Sequence, residues 1–131
     1  MSGINQSMSF AEAALAGRLD FLDAGVSPAR IQIYGSTRPA PGDSPSSVML
    51  VQIELDKPCG TIAAGVLTLT ASTEATVDAN GEATWARVIN GSNAWCFDCD
   101  VSNTLGSGQV KLSSAVLVVG SKVALVSAVM G

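Results

Sequence analysis

Cys96-Phe97-Asp98-Cys99 is a C-x-x-C spacing, the pattern in this chain where chemistry would first be sought. A closed structural zinc site needs four ligands, and Cys59 is the only further thiolate the sequence offers. A redox C-x-x-C takes its lowered thiol pKa from the start of a helix. Here the motif lies inside Trp95 to Val101, where apolar and polar residues alternate with the period of a strand, so the two sulfurs are expected on opposite faces of a sheet. Asp98 and Asp100 alternate onto one face together, but two carboxylates are too few for a calcium cage. The chain has no histidine, which removes the commonest general base and nucleophile activator and excludes a Ser–His or Cys–His pair within it. The residues therefore point to a non-enzymatic protein with no catalytic residue, no metal and no cofactor.

Two further residues invite a binding role. Arg87 lies between Trp85 and Ile89 on one strand face, where it can stack on the indole or pair with a carboxylate such as Glu54. That contact serves either the rim of the subunit itself or a contact between subunits. Tyr34, the only tyrosine, ends a short strand beside a proline-rich loop. It is expected at the edge of the core with its hydroxyl in water, within reach of a partner.

The elements that must position these residues are mostly strands. Asn80-Gly81 and Asn90-Gly91 are tight-turn pairs on either side of a run ending Trp85 to Ile89. They predict a hairpin with Ala83, Trp85, Arg87 and Ile89 on one face and Thr84, Ala86 and Val88 on the other. In its second strand Trp95, Phe97, Cys99 and Val101 share a face. Further strands are expected at 29–34, 48–56, 66–71 and 109–112, and a closing hairpin at 115–130 is expected to turn on Gly120-Ser121. Gly35 to Ser47 holds three prolines and reads as an exposed loop without phosphate-cradling spacing. Before the strands, Ser9-x-x-Glu12 fits a capping box. Met8, Ala11, Leu15, Leu19 and Leu22 then follow a helical step, with Gly25 as the terminating residue. Phe10, Ala14 and Phe21 widen the apolar stripe beyond one contact. The helix packs on its own sheet or docks on a neighbouring subunit.

At 131 residues, one domain is expected: a flexible arm over 1–8, then a single unit over 9–131 with a helix at 9–24 and strands over 29–130. Six to eight short strands separated by turn signals define a mainly β protein, a jelly-roll-like antiparallel β-sandwich preceded by one short helix. Only 14% of residues are charged while 47% are hydrophobic, so apolar surface is left to cover by association with other chains. A net charge of −4 with scattered basic residues argues against nucleic acid. No apolar run reaches membrane-spanning length. The opening MSGINQSMSF lacks a signal-peptide profile, so three free thiols in a reducing cytoplasm are expected.

Three segments then suggest a family. Ala29-Arg30-Ile31-Gln32-Ile33-Tyr34-Gly35-Ser36-Thr37-Arg38-Pro39 follows a short amphipathic helix. Gly81-x-Ala83-x-Trp85-x-Arg87-Val88 comes later, and a valine-rich segment through Gly120 closes the chain. This order resembles small β-rich virion proteins of tailed bacteriophages and prophages, over most of the chain. The resemblance implies a structural building block made in the bacterial host cytoplasm and carried in the virion, as a capsid cement or decoration protein bridging major-capsid subunits. Its implied partners are the major capsid protein or other virion proteins and further copies of itself, as a dimer or trimer. The candidate contact residues are Phe10, Leu15 and Leu19 on the helix, Arg38, Pro39 and Asp43 on the loop, and Tyr34 and Arg87 beside it. A neck or tail component is the alternative in the same class, and a surface- or carbohydrate-binding module is the alternative outside it. A hydrolase fits least.

Overall fold

The recurring apolar residues do form a helix, α1 (Met8–Leu22), in the computed structural model, which describes residues 7–130. Its cap is Ser7, not Ser9: Ser7 is extended (φ −72°, ψ 157°) and its Oγ accepts from the Phe10 N–H at 3.1 Å. Ser9 lies within the first turn, so Glu12 has no box to close and instead accepts from the Gly65 N–H at 3.1 Å. Of the expected arm, residues 1–6 lie outside the described residues. The helix stops at Leu22, with Asp23 as its C-cap, and Gly25 takes the left-handed φ of 98° that was expected of it. Leu15 and Leu22 are buried and Leu19 packs against the core, so α1 is a cis element of its own fold.

Twelve strands follow: β1 (Arg30–Tyr34), β2 (Met49–Glu54), β3 (Gly60–Ala63), β4 (Val66–Leu69), β5 (Ala75–Thr76), β6 (Gly81–Glu82), β7 (Trp85–Ile89), β8 (Trp95–Asn103), β9 (Val110–Leu112), β10 (Val116–Leu117), β11 (Lys122–Val123) and β12 (Leu125–Met130). Eight of them make one sheet in the order β2-β1-β7-β8-β9-β12-β4-β3. Its outermost strands, β2 and β3, are joined by the short segment 55–59, which spans at most about 20 Å. A flat sheet of that order would be about 34 Å wide at the usual strand spacing. The sheet therefore curls until its ends meet, and the Asp56 N–H donates across the junction to the Thr70 carbonyl at 2.9 Å. Two short ladders pair β6 with β10 and β5 with β11, and their Leu117 and Val123 join the same core. The result is mainly β and sandwich-like, as the spacing of turns predicted.

The inner face follows from register. Ile31 lies opposite Ile53 and Val88, and Ile33 opposite Val51 and Ala86. All six are fully buried.

The expected strands are corrected in four places. Asn80-Gly81 is not a hairpin turn: Gly81 is in β6 against Leu50, and Asn80 Oδ1 accepts from the Val119 N–H at 2.8 Å. The segment around Gly120 turns, but its arms do not pair with each other; β10 pairs with β6 and β11 with β5. β3 was not foreseen, because its turn into β4 uses Ala64 and Gly65 at φ 52° and 76°, and alanine gives no turn signal. The sheet is also not wholly antiparallel, since β8 and β9 pair in parallel. Residues 104–109 make that return without a helix. Gly108 passes so close to β8 that a Cβ there would lie 2.7 Å from the Ser102 nitrogen.

One buried polar side chain joins the helix to the sheet. Asn90 is 2% exposed at the β7–β8 turn, and its Nδ2 donates at 3.0 Å to the Phe21 carbonyl in the last turn of α1, which also accepts from the Ala24 N–H at 3.2 Å. Its Oδ1 accepts from the N–H groups of Ser92 and Ala94 at 2.9 and 3.0 Å. Gly91 beside it allows the approach, because a Cβ there would sit 1.9 Å from the Ser27 carbonyl oxygen. Replacing Asn90 with alanine removes the helix tie and leaves two partly buried N–H groups without their partner, and should cost about 1–3 kcal/mol. Urea unfolding would show this as a lowered midpoint with unchanged slope; a loss under about 1 kcal/mol would mean these bonds are not the tie.

Candidate interaction surface

The outer face of β1, β7 and β8 carries most of the residues singled out in the sequence. Register sets Tyr34 opposite Trp85, Gln32 opposite Arg87, and Arg87 opposite Asp98. Tyr34 stacks on Trp85 with ring centroids 4.6 Å apart and planes 16° from parallel. The Arg87 guanidinium lies over the same indole at 5.5 Å. Its Nε and Nη2 donate to the two Asp98 carboxylate oxygens at 2.8 and 3.0 Å. Arg87 thus pairs with Asp98, not with Glu54, because Asp98 is its cross-strand neighbour and Glu54 faces Arg30 two strands away.

The proline-rich segment is a loop, as expected, but it is tied down over this face rather than free in solvent. Trp85 Nε1 donates to the Gly35 carbonyl at 3.2 Å, Thr84 Oγ1 to the Ser36 carbonyl at 2.6 Å, and Arg87 Nη2 to the Asp43 carbonyl at 2.6 Å. Arg38 reaches Asp100 at 3.5 Å. The side chains of Arg87 and Asp98 are only 11% and 5% exposed. Tyr34 is buried as well, which pushes its hydroxyl pKa up. Its ring takes the core-edge place expected of it, covered by the indole.

β8 contains the feature that sequence alternation missed. Val88 pairs with Phe97 but Ile89 pairs with Trp95, so Cys96 is an extra residue in a β-bulge. The bulge turns Trp95 away from the face of Phe97, Cys99 and Val101 and onto the face of Asp98. There its Nε1 donates to Asp98 Oδ1 at 3.0 Å. Cys99 is buried in the core and Cys96, half-buried, packs against that same core, so the opposite-face placement expected of the two sulfurs is corrected: the bulge breaks the alternation between them. Burial pushes Cys96 up to about 11 and Cys59 and Cys99 up to about 12, so all three are neutral thiols at pH 7. Among the described residues no cluster of metal-ligating side chains forms. Asp98 and Asp100, set on one face as expected, are each occupied by an arginine.

Two grooves meet at the bulge. The larger, about 640 Å³, runs between α1 and the sheet, with Ala14, Gly17 and Phe21 on one wall and Cys96, Phe97 and Met130 on the other. Arg18 stands on its rim, with Nη1 3.8 Å from the Met130 sulfur. The smaller, about 410 Å³, continues past Cys96 and Phe97 to Trp95, Arg38, Pro39 and Pro41. Of the predicted contact residues, Arg38 and Pro39 line the second groove, and Phe10 stands exposed on α1. Leu15 is buried, Leu19 packs against the core, and Tyr34 and Arg87 lie under the loop, so these four are spent within the subunit. Asp43 is exposed but acts through its carbonyl. Trp95 and Phe97 were not foreseen as groove residues, and Phe21 was expected only as part of the helix stretch Met8 to Leu22. Phe21 alone had a signal, in the widened stripe of the helix.

Comparison with protein-family models, with curated proteins and with solved structures finds no match for this chain.

The buried Arg87–Asp98 pair gives the surface a pH signature. Burial pushes the Asp98 carboxyl up, but hydrogen bonds from Arg87 and Trp95 and the charge of Arg87 outweigh it and hold it below the usual range. A carboxyl lowered on folding contributes its stability fully above its unfolded pKa of about 3.9, and loses it as pH falls through the folded value. Asp98→Asn should therefore cost about 2–4 kcal/mol at pH 7. In chemical denaturation, wild type and variant should converge below pH 4. A gap independent of pH would contradict the pairing.

Proposed function

We propose that this protein is a non-enzymatic assembly subunit, a cement or decoration protein of a tailed-phage virion that bridges major-capsid subunits. The observation that carries the assembly role is the continuous apolar groove from α1 to Trp95, flanked by exposed Phe10 and Phe21. Apolar surface of this kind on a small domain favours burial against another protein chain. Exposed valines at 116, 118, 119, 126 and 129 add a second apolar region on the β10 to β12 part of the chain. The basic side chains support the same reading. Arg30, Lys57, Arg87, Lys111 and Lys122 each donate to a group of their own subunit, leaving no basic stripe among the described residues. The virion setting rests on the order of sequence segments described above, and a neck or tail position would use the same surface. For a carbohydrate-binding module, Trp95 is the one half-exposed indole, because Trp85 is buried under Tyr34.

Co-sedimentation of the purified protein with empty, expanded capsids and with isolated tails tests this. Saturable binding to capsids at a fixed ratio to the major capsid protein is the expected result. Binding to tails alone would move the protein to the neck or tail, and binding to neither would overturn the proposal.

A further inference from the structure

Helix α1 is apolar on two faces. Leu15, Leu19 and Leu22 face the sheet, while Phe10, Ala14, Gly17 and Phe21 recur at steps of four, three and four on the other side. That spacing is a helix-pairing seam, beside a polar face of Ser9, Glu12 and Asp20. In the single subunit this seam is bare: Phe10 is 67% and Phe21 50% exposed. Gly17 marks its centre. A Cβ at Gly17 would meet nothing within 4 Å, so nothing in its own subunit requires glycine there. Glycine is also the poorest helix former after proline, and an exposed mid-helix glycine fits a site where another backbone comes close.

We propose that α1 pairs antiparallel with α1 of a second copy about a two-fold axis lying between Ala14 and Gly17. This rests on reading the groove as an assembly surface and adds its occupant. The order large–small–small–large is the same in both directions, which is what a self-complementary two-fold contact requires. Ala14 of each copy faces Gly17 of the other, so the helices approach closely. At each end Phe10 of one copy meets Phe21 of the other, at the mouth of the groove lined by Phe97 and Met130. Charge does not oppose the pairing: Glu12 is held by Gly65, and the remaining charges of α1, Arg18 and Asp20, have opposite signs.

The area fits too. An aromatic side chain carries about 150–250 Å², so Phe10 and Phe21, 67% and 50% exposed, leave roughly 230 Å² per copy. Two copies give roughly 460 Å² from these side chains alone, nearly half of the about 1,000 Å² that a specific interface needs.

Sedimentation velocity of the full chain over a concentration series tests the proposal, with Gly17→Lys and Phe10→Asp as variants. Lysine enters open space at position 17, and aspartate in the first turn suits the helix dipole, so both variants keep their thermal midpoint or raise it. The expected result is a concentration-dependent dimer of the 13.3 kDa chain, with self-affinity weakened at least about tenfold in each variant. A wild-type chain that stays monomeric at submillimolar concentration would overturn the pairing, as would a dimer that both variants leave intact. Capsid co-sedimentation is read separately. A monomer that binds capsids refutes the pairing and keeps the assembly role, whereas a dimer that binds neither capsids nor tails does the reverse.

Discussion

The amide of Asn90 is the constraint on which the shape of this molecule turns. It sits at the tip of the β7–β8 hairpin and bonds three groups: two N–H groups of its own turn and one carbonyl at the end of α1. Packing alone would let a short helix slide on a sheet, because apolar contacts are not directional. A buried, hydrogen-bonded amide favours one arrangement, since another would leave its oxygen and nitrogen unpaired in a low-dielectric interior. That arrangement holds Phe21 beside Phe97, and the groove is the space left between them.

A second directional group does the same for the other half of the surface. Arg87 bridges Trp85, Asp98 and the Asp43 carbonyl, and so joins two strands to the loop that covers them. Loops rich in proline and glycine resist packing, because few of their backbone groups find partners. This one is held through its carbonyls, at Gly35, Ser36 and Asp43, by side chains from β7 and the residue before it. Trp95 then lies over Gly42, whose ideal Cβ position is 3.5 Å from the indole. Helix, bulge and loop are thereby fixed relative to one another, as a docking surface needs if binding is not to be offset by the cost of ordering it.

Much of the fold was legible in the sequence, and the reasons differ by element. The helix and the strands around Ile31, Val51 and Val88 show because their apolar periods are long and regular. The class of the protein shows for the same reason. What escaped was set by long-range partners. The bulge at Cys96 inverts the face of Trp95, and nothing local marks it, since the alternation of Trp95 to Val101 is unbroken in the sequence. The partition of 115–130 into β10, β11 and β12 depends on their partners β6, β5, β4 and β9 elsewhere in the chain. Arg87 was legible as a pairing residue, but Asp98 became its partner only through hairpin register. The groove was half legible. Phe10, Ala14 and Phe21 exceed what one contact needs, yet its far wall comes from β8 and from Met130 at the other end of the chain.

The central claim is that the outer face of α1 is covered by another protein chain when this protein does its work. Hydroxyl-radical footprinting of Phe10 and Phe21 reads that face directly, first in dilute protein alone and then with the proposed partner, empty capsids, added in excess. The account predicts that both rings react freely in the first and are strongly protected in the second. Equal reactivity in the two states would contradict it.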